Sequence, residues 1–153
     1  MTLLFAFLIG LFAGLRSLTP PAAVAWAVHL GWIKLARPLS LIGSVPALII
    51  LSVLAIGEII FDKLPNTPNR TAPLGLIGRI VTGGFTGACI ALGGGQSAFV
   101  GAGLGVIGGI AGCFAGYQAR AQIVKSLRQP DFNIALIEDL IAIGGSLFVV
   151  SRF

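Results

Sequence analysis

Two arginines stand inside stretches that are otherwise apolar, and each is followed by the same kind of residue at the same spacing. In GLRSLTPPAAVAWA, residues 14–27, Arg16 precedes Thr19 by three positions, and in GRIVTGGFTGACIA, residues 78–91, Arg79 precedes Thr82 by three. Pro20-Pro21 follows the first pair and Gly83-Gly84 the second. Both dipeptides disturb a helix, the prolines by clash and lost donors, the glycines by lack of stiffness. Carboxylates follow each arginine. Glu58 and Asp62 lie four apart in AIGEIIFDK and share a helix face, while Glu138 and Asp139 are adjacent in ALIEDLIAI. Two guanidiniums at helix breaks suit an anionic group, gripped bidentately if it is a phosphate or carboxylate. Carboxylates buried nearby are suited to proton coupling, because burial favours the neutral acid. The same atoms also fit a structural reading, in which Arg16–Glu58 and Arg79–Glu138 are salt bridges that hold helices together.

These charges are conspicuous because there are so few. The 153 residues are 56% apolar and only 10% charged, and the mean hydropathy is +1.01. An ordinary soluble domain carries about 25% charged residues. The composition is that of an all-α integral membrane protein, where a charge at mid-helix costs about 2.5–3.5 kcal/mol and needs a partner or a role. A net charge of +5 then belongs to cytoplasmic loops and not to a nucleic-acid surface. Cys89 and Cys113 fall in apolar runs and read as small buried hydrophobes. His29, the single histidine, sits between Trp26 and Trp32 and reads as interfacial. There is no CxxC, His cluster or calcium-loop spacing, hence no expected metal or cofactor. No hydrolase, zinc-protease or phosphate-loop motif occurs, so an enzyme is not expected.

About six membrane segments position the charges. Residues 2–17 and 20–33 are each short for a crossing of about 20 residues. They fit two short crossings, one broken crossing or a re-entrant hairpin. Trp26, Trp32, Lys34 and Arg37 form an interfacial anchor. Residues 39–62 read as a clean spanning helix that Pro46 kinks. The Lys63–Pro73 stretch, with three prolines, is the clearest loop. Residues 74–92 form the fourth segment, Leu92–Ala98 a glycine turn, and 98–119 the fifth segment. In the fifth, Gly101, Gly105 and Gly109 form one row and Gly108, Gly112 and Gly116 another, a spacing for close helix approach within or between chains. Residues 118–130 read as an amphipathic extension near the headgroups. Pro130 stops it, and Asp131 caps a last helix to about 150.

Three segments precede the 63–73 loop and three follow, so the single domain of 1–153 divides into repeat one (about 2–63) and repeat two (about 74–151). Odd numbers of crossings give the halves opposite orientations, the inverted-repeat plan of many transporters. With the termini on one side, Arg16, Lys63, Arg70, Arg79, Arg120, Lys125 and Arg128 share one face, against Lys34, Arg37 and Arg152 on the other. The 63–73 loop and the 118–130 segment are therefore expected in the cytoplasm.

The arginine before the double proline, the run GEIIFDKLPNTPNR and the following APLGLIGRIVTGG together resemble a family of small bacterial integral membrane proteins known only as a domain of unknown function. The resemblance spans most of the chain and implies a multi-pass protein of the bacterial inner membrane, with no activity to carry over. The expected function is a small secondary transporter or permease for an anionic solute or lipid headgroup. Arg16, Thr19, Arg79 and Thr82 would bind it, and Glu58, Asp62, Glu138 and Asp139 would couple protons or form salt bridges. The alternatives are a structural or assembly protein whose charges only fasten it, or an oligomeric channel. Partners are the bilayer, and for a bundle this small a homodimer.

Overall fold

The computed structural model describes residues 1–63, 72–127 and 131–153, the side chains of 124–127 and 131–132 excepted. Among the described residues there are six α-helices and no strand. They are α1 (Thr2–Leu15), α2 (Thr19–His29), α3 (Val45–Phe61), α4 (Pro73–Gly93), α5 (Ala98–Leu127) and α6 (Asp131–Val150), with a 3-10 turn at Leu39–Gly43 ahead of α3. Three are long and apolar enough to cross a bilayer, over Pro73–Gly93, Ala98–Ile123 and Asn133–Val150. The helices α1 and α3 are apolar but shorter, and α2 has 11 residues. At about 1.5 Å per residue α1 is about 21 Å long and α5 about 45 Å.

Every helix reverses the direction of the one before it. Gly10 and Gly14 of α1 meet Gly105 and Gly109 of α5 in the same order, so α1 and α5 are parallel. In α4, Gly83 meets Gly105 and Gly87 meets Gly101, so α4 runs against both. Phe12 and Phe5 of α1 meet Gly145 and Phe148 of α6, another antiparallel pair. The bundle thus has two ends. One holds Arg16, Asp62 and Asp139 and is here the arginine end. The other holds Ile33, Gly93 and Phe153 and is the tryptophan end, after nearby Trp32.

Glycine fastens the first layer of the bundle. A Cβ at Gly105 would land on the carbonyl oxygen of Gly83, and one at Gly108 on the carbonyl of Phe7. The row Gly101, Gly105, Gly109 packs against α4, while Gly108 and Gly112 pack against α1. The two rows therefore serve contacts within the chain, and α5 is the central helix. Gly116 is buried beyond them. The surface facing outward is the reverse: Ile49, Val53, Ile60, Val81, Ile107 and Leu140 are all more than half exposed. An apolar outer surface on several helices is what a lipid-facing bundle requires.

Several expectations need correction. The third segment is not one helix from 39. Its first residues form the 3-10 turn, and Pro46 sits in the first turn of α3. There its missing N–H is one no helix would use, so it starts the helix and does not kink it. Gly83 and Gly84 do not break α4, which runs through them unbroken; their lack of a side chain serves approach to α5. The real break of the first half is at Arg16–Leu18, and Pro20-Pro21 lie inside the first turn of α2. Residues 2–33 make an antiparallel helical hairpin. The 118–127 stretch continues α5. The Asp131 side chain, Pro130 and most of the 63–73 loop lie outside what is described. A substitution tests the seam. Gly105→Leu is expected to lose at least 1–3 kcal/mol by overpacking, whereas Gly103→Ala, which meets nothing within 4 Å, is expected to be neutral or slightly stabilising. Thermal unfolding in detergent micelles, followed by circular dichroism, reads both.

Candidate functional site: the turn at Arg16

The hairpin turn leaves two helix ends facing one another with nothing local to satisfy them. The helix α1 has no basic residue in its last turn, and α2 has no acidic residue in its first. Four terminal groups at such ends lack partners within their own helix. Here the partners come from other helices. Glu58 of α3 accepts hydrogen bonds from the Ser17 N–H (2.8 Å) and Ser17 Oγ (2.6 Å) on one oxygen, and from the Leu18 N–H (2.8 Å) on the other. Pro20 and Pro21 bring no donors of their own, so Glu58 takes up what remains of the α2 N-terminus, where a negative charge is also favoured. At the other end, Arg79 of α4 donates from Nε to the Gly14 carbonyl (2.9 Å) and from Nη1 to Gly75 (3.1 Å). A cation on the last carbonyls of α1 is likewise favourable.

Between these two caps lies the guanidinium of Arg16, fully buried. Its Nε donates to Asp139 Oδ1 at 2.6 Å, and its Nη1 donates to Asp62 Oδ2. Nη2 lies 2.5 Å from the same Asp139 oxygen, off the hydrogen-bonding direction. Lys63 Nζ donates to Asp139 Oδ2 at 2.7 Å. Arg120 Nη1 lies 3.8 Å from Asp62 and 3.7 Å from Glu138. Among the described side chains, Arg16, Lys63 and Arg120 thus meet Asp62, Glu138 and Asp139 in one cluster.

All four charges singled out from the sequence, Arg16, Glu58, Arg79 and Glu138, gather at this end. The pairing differs from the expected one. Glu58 is used on backbone N–H groups, and Arg16 is held by Asp62 and Asp139. The reason is register: Asp62 lies one turn beyond Glu58 and reaches the side chain, while Glu58 is level with the backbone of the turn. Arg79 turns to carbonyls, and Arg120 takes the place beside Glu138. The two halves also use their motifs differently. Arg16 follows its helix, whereas Arg79 lies in the first third of α4, so both fall at one end of the bundle. Thr82 donates to the Gly78 carbonyl of its own helix at 2.9 Å, and Thr19 Oγ1 is buried with no hydrogen-bond partner among the described residues.

Sequence reasoning missed Lys63, Arg120 and Ser17. Arg120 had a signal: Cys113 and Gly116 are buried, and 113, 116 and 120 continue one helix face. Ser17 had none, since its role depends on a carboxylate 41 residues away. Replacing Arg16 by Gln is expected to cost about 3–5 kcal/mol, because it leaves buried carboxylates without their cation. Glu58→Gln, which keeps an acceptor, is expected to cost about 1 kcal/mol. Chemical unfolding in micelles compares the two, and equal losses would show that Arg16 is not the main fastening.

The model of the family DUF4126, a domain of unknown function, matches residues 3–151. No curated protein and no solved structure matches the chain.

Proposed function

We propose, from the premise that the chain belongs to the DUF4126 family, an integral membrane protein of structural or assembly type, whose intramembrane charges hold its helices in place. The observation that carries this reading is the closure of Arg16. A solute-binding arginine needs donors directed at the solute, but Arg16 Nε and Nη1 are spent on Asp139 and Asp62, and Arg79 Nε and Nη1 on backbone carbonyls. The reading does not require the two halves to be equivalent.

The bilayer location is supported by the three long apolar helices and the exposed apolar surface of the others. The arginine end faces the cytoplasm in this proposal, since Lys63 and Arg120 lie there and Arg70, Lys125 and Arg128 follow in the adjoining sequence. The lipid bilayer and a further membrane protein are then its partners.

Two experiments test the proposal. Arg16→Asp and Asp139→Arg should each lower expression and stability several-fold, and the double swap should recover much of the loss. In proteoliposomes the wild-type protein should move neither protons nor small anions above the protein-free rate; flux that Arg16→Gln abolishes while the protein remains folded would sink the structural reading in favour of transport. For orientation, Gln122→Cys places a thiol on an exposed residue of α5, while Cys89 and Cys113 are fully buried. It should resist a membrane-impermeant thiol reagent in intact cells and react after lysis.

A further inference from the structure

The helices α2, α3 and α6 leave a groove of about 210 Å³ between them, lined by Thr19, Ala22, Trp26, Ser52, Ala55 and Leu147 among others, with only apolar atoms on its surface. It exists because α3 is loosely seated. Only Leu48 and Ala55 of α3 are buried, and α2 faces the gap with alanines. An apolar cavity of about 150 Å³ stays dry and accepts benzene, so a larger one of the same chemistry calls for hydrocarbon and not water. The Trp26 indole sits at this groove, its Nε1 donating to Ser52 Oγ of α3 at 3.2 Å.

The charge at the tryptophan end names the rest of the occupant. The three groove helices end there together. The α2–α3 connection carries Lys34 and Arg37, and Arg152 follows α6; all three are exposed. Every aspartate and glutamate in the sequence is Glu58, Asp62, Asp131, Glu138 or Asp139, and all five lie in the halves of α3 and α6 towards the opposite pole or just past α3. Every carboxylate side chain of the sequence thus belongs to the arginine end, whereas the tryptophan end carries Lys34, Arg37 and Arg152 with no acidic side chain to answer them. A cationic end on the same three helices as an apolar groove that Trp26 lines is complementary to a molecule with one anionic head and a hydrocarbon tail.

We propose that this face binds an anionic phospholipid, with one acyl chain in the α2–α3–α6 groove and the phosphate held by Lys34, Arg37 and Arg152. The site rests on the membrane reading, and the test separates the two. Trp32→Phe leaves Trp26 as the sole tryptophan. This protein is reconstituted into phosphatidylcholine vesicles that contain a minor fraction of phosphatidylglycerol, with bromine on the chains of either one lipid or the other at equal total bromine. Brominated phosphatidylglycerol should quench Trp26 at least about twofold more than brominated phosphatidylcholine. Adding Lys34→Gln, Arg37→Gln and Arg152→Gln should remove that preference and leave ordinary quenching. Ala55→Leu, with helical content checked by circular dichroism, should remove it by filling the groove. Equal quenching by the two lipids, or a preference that survives either set of substitutions, overturns the site while leaving the membrane reading in place. Shielding of Trp26 from both lipids in protein that floats with the vesicles means another protein or a second copy covers the groove, and also overturns it. Protein that does not float overturns the membrane reading along with the site.

Discussion

The structure depends on one unfavourable fact, that a guanidinium is buried completely where two helices turn back on each other. Taking Arg16 out of water is costly, and only good geometry with several acceptors offsets the cost. Asp62 and Asp139 supply them from α3 and α6. The clamp therefore ties the hairpin to two helices that otherwise hold it weakly. This matters most for α3, which buries just two of its residues. In the membrane reading proposed above, hydrophobic packing alone gives such a helix no fixed register, because lipid tails are as apolar as its side chains. The contacts of Glu58 and Asp62 with the turn set that register instead.

Two fastenings of different chemistry thus divide the molecule. One is the glycine seam of α1, α4 and α5, where backbones approach until no side chain fits and dispersion acts over many atoms. The other is the polar turn, which joins α1 and α2 to α3, α5 and α6. Arg79 belongs to both. Its backbone carbonyl lies under Gly109, and its side chain caps α1. The loose α2–α3–α6 groove is what is left where those three helices are fastened at the turn alone and no glycine seam draws them together.

Much of the architecture was legible because it follows from composition and period. Segments of apolar residues and the spacing of Gly101, Gly105 and Gly109 speak for themselves. The three segments before the loop and three after it are present as helices of alternating direction. At the site, Arg16, Glu58, Asp62, Arg79, Glu138 and Asp139 were legible as members, but Ser17, Lys63 and Arg120 were not, and neither was the pairing. Arginine and carboxylate mark themselves in an apolar chain, yet which one meets which depends on helix rotation and on the level of each residue along the bundle. A shift of one turn separates Glu58 from Asp62, and it decided which of them holds Arg16. Gly83-Gly84 shows the same limit. A glycine pair signals either a break or a close approach, and only the neighbour, α5, distinguishes them.

The separation of partners along the chain also sets an order of assembly. Arg16 meets Asp62 across 46 residues and Asp139 across 123. During synthesis the arginine can be answered first by the end of α3, long before α6 exists. The seam cannot close until α5 has been made, since α1 and α4 both pack against its glycines. The last carboxylate then arrives to complete the clamp. The early hairpin is thus held provisionally by one acid and definitively by two, so the finished bundle is locked at the point where the newest helix reaches back to the oldest.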